Sequence, residues 1–492
     1  MLNKIIPNDP GSVPFIIKYK KINKQDSKEQ HYELCEDGTK ILVVNNELFN
    51  DDAPCIAKAF IPKFHIDKST ISQIRYMLTH PSIDNVRIMP DCHRGVNCCI
   101  GFTSKLTDKI VPCFIGVDIG CGIISYQTNK SISDLGFSVE NLESTLRNLT
   151  PMGTTDATNH CIHKIPVVKD DELDEIFEES KKEAYDFAKM YSQDYSTTIF
   201  NFIPNYSFEW LKQKCIQIGI EYNYALQCLG TLGGGNHFIE VNKNINDKLY
   251  ITLHTGSRNF GTKICNFHQS KINETKYFDW GKYHDGMKNI HRKTRDPKTI
   301  KFMTDELIDN INAGRHTDYL ENEDAYEYFF DMIFAQKFAK LNRKIILRRI
   351  LDALQIQYDE DNIIESIHNY IDFTDKIIRK GAISAHKDQL CLISLNMRDG
   401  ILLCKGKGNI DWNYSSAHGA GRLYTRYTTK QKVSMDEFIE SMKNVYSTSV
   451  NEFTLDESPQ AYKNTEMIKS LLNGNVEIIE QLFPIINIKA ND

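Results

Sequence analysis

The residues best suited to chemistry stand among glycines. In GVDIGCG, Asp118 and Cys121 are three apart, and the flanking glycines permit a tight turn that aims both side chains at one point. A carboxylate and a thiolate so placed suit a divalent cation. The same spacing also describes a buried cysteine beside a capping aspartate. Farther on, GGGNHFIE can present backbone N–H groups to an anion, with Asn236, His237 and Glu240 close behind. It lacks the GK[ST] ending of a P-loop. In LHTGSRNFG, His254 ends an apolar run, and Arg258, beyond a glycine, is of a type that clamps phosphate. His368 sits beside Asn369 in the apolar stretch SIHNYIDF. Nothing in the spacing of His237, His254 and His368 makes them converge.

The elements that must position these residues follow from pattern. Residues 15–50 alternate apolar and polar side chains, which predicts antiparallel strands. The spacing predicts helices over 68–80, over 170–192 with its acidic start, and over 322–354. Residues 87–126 read as β-rich and glycine-punctuated. No repeat or long linker interrupts the chain, and the chemistry-bearing segments run from 91 to 489, as expected of one interwoven catalytic domain. His160, His163 and His386 read as surface or loop histidines, and Arg348–Arg349 as a surface pair.

Composition narrows the class. The chain has 492 residues, 41% of them hydrophobic and 25% charged, and a net charge of −6, so any nucleic-acid surface must be local. Its 13 cysteines are odd in number and include no CxxC pair, which fits a reducing, cytoplasmic compartment. The start MLNKIIPNDPGSVPF has no apolar leader, and the longest apolar run is interrupted by Asp118, so no membrane span is expected.

Read in order, MPDCHRG, GVDIGCG, GTLGGGNHFIE, LHTGSRNFG, HNY, RKGA, SSAHGAGR and SPQAYKN, with a late lysine, resemble the RtcB-type RNA ligases over about residues 85 to 489. The resemblance implies an α+β fold: a single large catalytic domain over 85–492, β-rich at its core with flanking helices and a helical insertion at about 165–225. A β-rich segment, 1–84, would pack on it. It implies a GTP- and Mn²⁺-dependent ligase for tRNA splicing or RNA repair. Such an enzyme joins 2′,3′-cyclic phosphate or 3′-phosphate RNA ends to 5′-hydroxyl ends through a covalent histidine–GMP intermediate. The partners would be RNA ends, GTP and, in some settings, an activating protein.

By motif match, two Mn²⁺ ions would be held by Asp118, Cys121, His237, His254 and His368, with Cys121 bridging. The nucleophile falls on His418, and Arg258 and Arg422 fall on anion-handling positions. Asn236, His237, Phe238, Ile239, Glu240, His368, Asn369, Asn396, His418, Gly419, Ala420, Gly421 and Lys489 fall on nucleotide-holding positions, with Glu240 and Lys489 reading guanine. The physics of SSAHGAGR agrees. An imidazole attacking phosphorus in line must come within ~3–3.5 Å, and Ser, Ala and Gly leave room for that approach. Thiolate and imidazole ligands favour Zn²⁺ or Cu on affinity, so Mn²⁺ rests on the resemblance. The chain departs from the family pattern at 394–400, where Leu395 and Asn396 replace Gly and Ser and Arg398 and Asp399 replace small residues. Ala490 replaces a Gly after Lys489. Two other readings fit these residues: a metallo-phosphohydrolase, or a non-ligating protein that binds RNA ends.

Overall fold

The β-branched and aromatic runs that bracket the glycine segments pair into two large sheets. The computed structural model describes residues 15–19, 31–34, 40–44, 57–62, 65–78, 80–153, 161–274, 280–312 and 319–491. One sheet has seven strands, in the order Ile363–Ile367, Gly122–Gln127, Leu249–Thr255, Phe238–Lys243, Val476–Ile488, Ile401–Gly406 and Leu390–Ser394. Leu249–Thr255 (LYITLHT) is buried at every position, as a near-continuous apolar strand in the middle of a covered sheet should be. The second sheet has eight strands, in the order Asn369–Asp372, Ile377–Lys380, Ile100–Lys105, Asp84–His93, Ala57–Ala59, Phe15–Tyr19, Lys40–Val44 and His31–Leu34. The expected antiparallel arrangement near the N-terminus holds for 31–34 against 40–44 and for 15–19 against 57–59, but 15–19 pairs with 40–44 in parallel. Alternation reports which face is buried, not strand direction. His160 lies outside the described residues.

Helices flank the sheets. Lys68–Leu78 and Asp170–Asp194 end within two residues of their expected limits. Asp170–Asp194 packs on the longest helix, Asn322–Ala353, through stacked Phe177 and Phe334 and through Arg348, whose Nη1 lies 2.8 Å from Glu172. Arg348 is therefore paired. Asn322–Ala353 is about 48 Å long at 1.5 Å per residue. It is buried on most sides, including Asn342 and Arg343. Trp280–Lys293 and Pro297–Asn312 form a further helical pair that the sequence reading did not place. His163 is a correction: it is buried, with Nε2 3.0 Å from the Gly230 carbonyl and beside Arg349.

The chain crosses directly from one sheet to the other at one residue. His368 alone separates Ile363–Ile367 of the seven-stranded sheet from Asn369–Asp372 of the eight-stranded one. Its carbonyl accepts the Gly381 N–H at 2.6 Å, which stitches the seam to the loop after Ile377–Lys380.

Candidate metal and nucleotide site

Strand register gathers the donors. Gly122 pairs with both Thr255 and Ile367, and His254 pairs with Phe238. Cys121, His254, His368 and His237 therefore stand at the same end of four adjacent strands, although up to 247 positions separate them. The long helix fixes the turns. Asn342 Oδ1 accepts the N–H groups of Gly230 and Thr231, and its Nδ2 donates to the carbonyls of Thr231 and Gly256. Arg343 donates to the Gly120 and Thr255 carbonyls at 2.7 and 2.8 Å. Gly256 is obligatory, since a Cβ there would lie 2.3 Å from Asp118 Oδ1.

The donor atoms form two groups that share one sulfur. Cys121 Sγ is 3.3 Å from His254 Nε2, and His254 Nε2 is 3.2 Å from His368 Nε2. On the other side Cys121 Sγ is 3.5 Å from His237 Nε2, itself 3.0 Å from Asp118 Oδ2. The ring tautomers decide what this array can hold. His237 Nδ1 faces the Leu232 carbonyl at 2.8 Å and His254 Nδ1 faces the Asn236 carbonyl at 3.1 Å. A carbonyl only accepts, so each neutral ring carries its proton on Nδ1 and turns an Nε2 lone pair inward. Where unprotonated, lone pairs facing a carboxylate, a sulfur and one another repel unless protons or cations lie between them. The separations, about 3.0–3.5 Å, are those of ligands around a cation bound at roughly 2.0–2.3 Å. The residues fit a metal pair. Burial pushes the Cys121 thiol up and the Asp118 carboxylate adds to it, so deprotonation would accompany cation binding. Burial, with the neighbouring imidazoles, holds His254 and His368 well below the usual range, which keeps both rings neutral and ligand-competent.

His418 sits across the seam, its ring centroid 4.7 Å from that of His368. It follows the strand Ser415–Ala417, which pairs with Ala382–Ser384. Its Nδ1 is 2.6 Å from Oδ2 of Asp91, a fully buried carboxylate on Asp84–His93. The same oxygen accepts the N–H groups of His418 and Gly419 at 3.1 and 3.3 Å. With Nδ1 donating, Nε2 holds a free lone pair, as nucleophilic catalysis requires. Gly421 has φ +74°, and a Cβ there would lie 2.1 Å from the Asp91 carbonyl oxygen. The small residues thus seat His418 on its aspartate as well as leaving room for a substrate.

A pocket extends from His418 between the sheets. It is lined by Asn236, Phe238, Glu240, His254, His368, Asn396, His418, Gly419, Ala420, Gly421, Arg422 and Lys489 among others. Ile239 points away into the core, and Asn369 braces the turns instead, with Oδ1 accepting the Gly381 N–H. Arg258 has φ +57°, donates from Nε to Thr231 Oγ1 at 3.1 Å, and lays its guanidinium against Gly233. Glu240 is pushed up to about 7 by burial, against the hydrogen bonds of Asn242 and Asn487 and the charge of Lys489.

Glu457, buried and outside the pocket lining, gathers the cations that do line it; the sequence reading was silent on it. It contacts Arg422 at 3.1 Å, Arg426 at 2.8 Å, Lys489 at 3.2 Å and the Tyr462 hydroxyl at 2.7 Å. Burial opposes its charge, but Lys489 and the two arginines hold it at about 2. Arg422 also donates to the Asp456 and Tyr424 carbonyls, so its charge is anchored rather than loose. The divergent loop is self-supporting: Asn396 Oδ1 caps the N–H groups of Arg398 and Asp399, and Ser394 exchanges backbone bonds with His418 and Ala420. Asp91, within the motif MPDCHRG, is the other residue to which the sequence reading gave no role. Its signal was a carboxylate inside the apolar strand NVRIMPDC, where a charge needs a partner.

Residues 73–490 match the sequence model of the family described as tRNA-splicing ligase RtcB. The RNA-splicing ligase RtcB of Escherichia coli (strain K12) is 27% identical over 425 residues, covering 82% of this chain and 90% of that protein. The tRNA-splicing ligase RtcB of Nanoarchaeum equitans (strain Kin4-M) is 24% identical over 487 residues, covering 87% and 93%. Among the described residues no helix is long and apolar enough to cross a membrane.

Proposed function

This chain belongs to the RtcB family, and from that premise we propose that it is a GTP- and Mn²⁺-dependent RNA ligase, joining 2′,3′-cyclic phosphate or 3′-phosphate ends to 5′-hydroxyl ends. The observation that carries the reading is one imidazole, oriented by a buried carboxylate, beside a shared-thiol donor array. Asp118, Cys121, His237, His254 and His368 would hold two Mn²⁺ ions, which when bound supply Lewis-acid charge at the phosphates. Asp91 keeps the proton of His418 on Nδ1. His418 Nε2 then attacks the α-phosphorus of GTP; a P–N bond forms as the P–O bond to pyrophosphate breaks. Asp91 stabilises the cationic ring that results. The guanylate passes to an RNA 3′-phosphate and frees His418. The 5′-hydroxyl of the second strand attacks the activated 3′-phosphorus, and GMP leaves. A cyclic phosphate is first opened by water. Glu240 and Lys489 hold the guanine edge, and Arg258 and Arg422 take up anionic charge around the transfer.

Incubation with α-³²P-GTP and Mn²⁺ tests this. Wild type should retain protein-bound label and seal RNA with 3′-phosphate and 5′-hydroxyl ends, and His418→Ala should do neither. Phosphate release without label would indicate a phosphohydrolase. RNA binding without nucleotide binding would indicate a non-ligating protein.

A further inference from the structure

Glu240 and Asn487 stand directly opposite one another on the paired strands Phe238–Lys243 and Val476–Ile488. Asn242, two residues along, shares the face of Glu240. Asn487 Nδ2 donates to Glu240 Oε1 at 2.7 Å, and Asn242 Nδ2 donates to Oε2 at 2.8 Å. Each carboxylate oxygen thus receives one amide and keeps a lone pair for another donor. Both amides turn their own oxygens to nothing: Asn487 Oδ1 and Asn242 Oδ1 are buried with no hydrogen-bond partner among the described residues. A buried acceptor without a donor costs free energy, and only an acceptor of a pocket-lining residue can gain one from a ligand. The two asparagines differ in one respect. Asn487 lines the pocket with Glu240 and Lys489, whereas Asn242 stands behind them, fully buried and off its wall.

We propose that Asn487 determines base specificity: its amide N–H steadies Glu240, and its Oδ1 accepts a hydrogen of the 2-amino group of guanine. The inference rests on the reading that this pocket takes a guanine nucleotide. Guanine offers three hydrogens along this edge, one on N1 and two on the 2-amino group. The carboxylate can take the N1 hydrogen and one amino hydrogen, one on each oxygen. The remaining amino hydrogen needs a further acceptor, and Asn487, a residue of the pocket wall, has a buried Oδ1 that is unspent. Hypoxanthine keeps N1–H and O6 but lacks the amino group, so it would leave this acceptor bare. Sites built to bond a donor reject the analogue lacking it more strongly than apolar pockets reject a missing methylene.

The test is calorimetric titration of the metal-loaded, full-length protein with GMP, IMP and N2-methyl-GMP, monophosphates that bind without turnover. Wild type should prefer GMP to IMP by at least about 100-fold, the worth of the two hydrogen bonds that the amino group makes. Asn487→Val should reduce that preference by about tenfold, the worth of one hydrogen bond. Asn242→Val removes the same kind of support from Glu240 behind the pocket, so it should weaken GMP and IMP alike and leave their ratio within about twofold. N2-methyl-GMP, read on wild type alone, should bind about tenfold more weakly than GMP, which keeps the test independent of any variant's folding. An unchanged ratio in Asn487→Val, an equal loss of ratio in Asn242→Val, or equal binding of GMP and N2-methyl-GMP would each overturn the assignment while leaving the nucleotide site standing. Absence of any binding by wild type would overturn the guanine reading, and this inference with it.

Discussion

Replacing Asp91 by asparagine isolates the charge behind the nucleophile. Three donors meet at Asp91 Oδ2: the His418 ring Nδ1–H at 2.6 Å and the N–H groups of His418 and Gly419. The other oxygen, Oδ1, has no partner among the described residues. An asparagine will therefore turn its oxygen to the three donors and its NH₂ to the vacant side. The His418 tautomer survives and the negative charge is lost; the buried NH₂ without an acceptor lowers stability, which the rate at saturating nucleotide does not read. That charge matters most when the ring becomes cationic on bonding phosphorus. A hydrogen bond to a charged group is worth about 1.5–3 kcal/mol against about 1 for a neutral one. Full burial of Asp91 puts the difference toward the upper end, about 2 kcal/mol. Histidine guanylylation should slow roughly 30-fold with GTP affinity unchanged. Rapid-quench transfer of label from α-³²P-GTP at saturating nucleotide measures it. A rate within threefold of wild type would show that Asp91 does no more than shape the loop. A shift confined to GTP affinity would move its role to binding.

Other expectations follow from the same geometry. Metal analysis should find about two divalent cations per chain; Cys121→Ser should cost both, because both donor groups share that sulfur, whereas His368→Ala should retain about one. Guanine donors need ionised Glu240, whose free-site value is about 7. Ionisation falls from about ten-elevenths at pH 8 to about one-eleventh at pH 6, so GMP affinity measured by calorimetry should weaken up to roughly tenfold as pH drops across that window, and Glu240→Gln should flatten the profile. Asn342→Ala removes five hydrogen bonds to the segments that carry the donors. It should destabilise the protein by about 3 kcal/mol, read as a lower melting temperature by scanning calorimetry.

Glycine-rich strand termini made the chemistry visible in one dimension. Asp118, Cys121, His237, His254 and His368 all belong to short motifs that could be marked on residue type. Their convergence was not legible, because it depends on which strand pairs with which, and Gly122 meets Ile367 across 245 positions. The helix 170–194 was readable from its acidic start and periodicity. Trp280–Lys293 was not, since KYHDGMKNIHRK offers few apolar positions to mark a face. Glu457 and Asp91 were passed over for a related reason: a carboxylate announces its role only through the cations or N–H groups it meets, and those come from distant segments. His163 shows the converse error. A lone histidine near a polar loop looked superficial, yet tertiary packing buried it against Gly230.

The seam residue has a mechanical consequence. His368 is both the joint between two sheets and a donor of the array, and its partners His254 and Cys121 belong wholly to one side. An ion held by that trio would act as a rivet at the joint, beside the core that Met89, Ile393 and Leu402 already share between the plates. Asp91 rides on the opposite plate and holds His418, so the same rivet would bear on the clearance between nucleophile and ions.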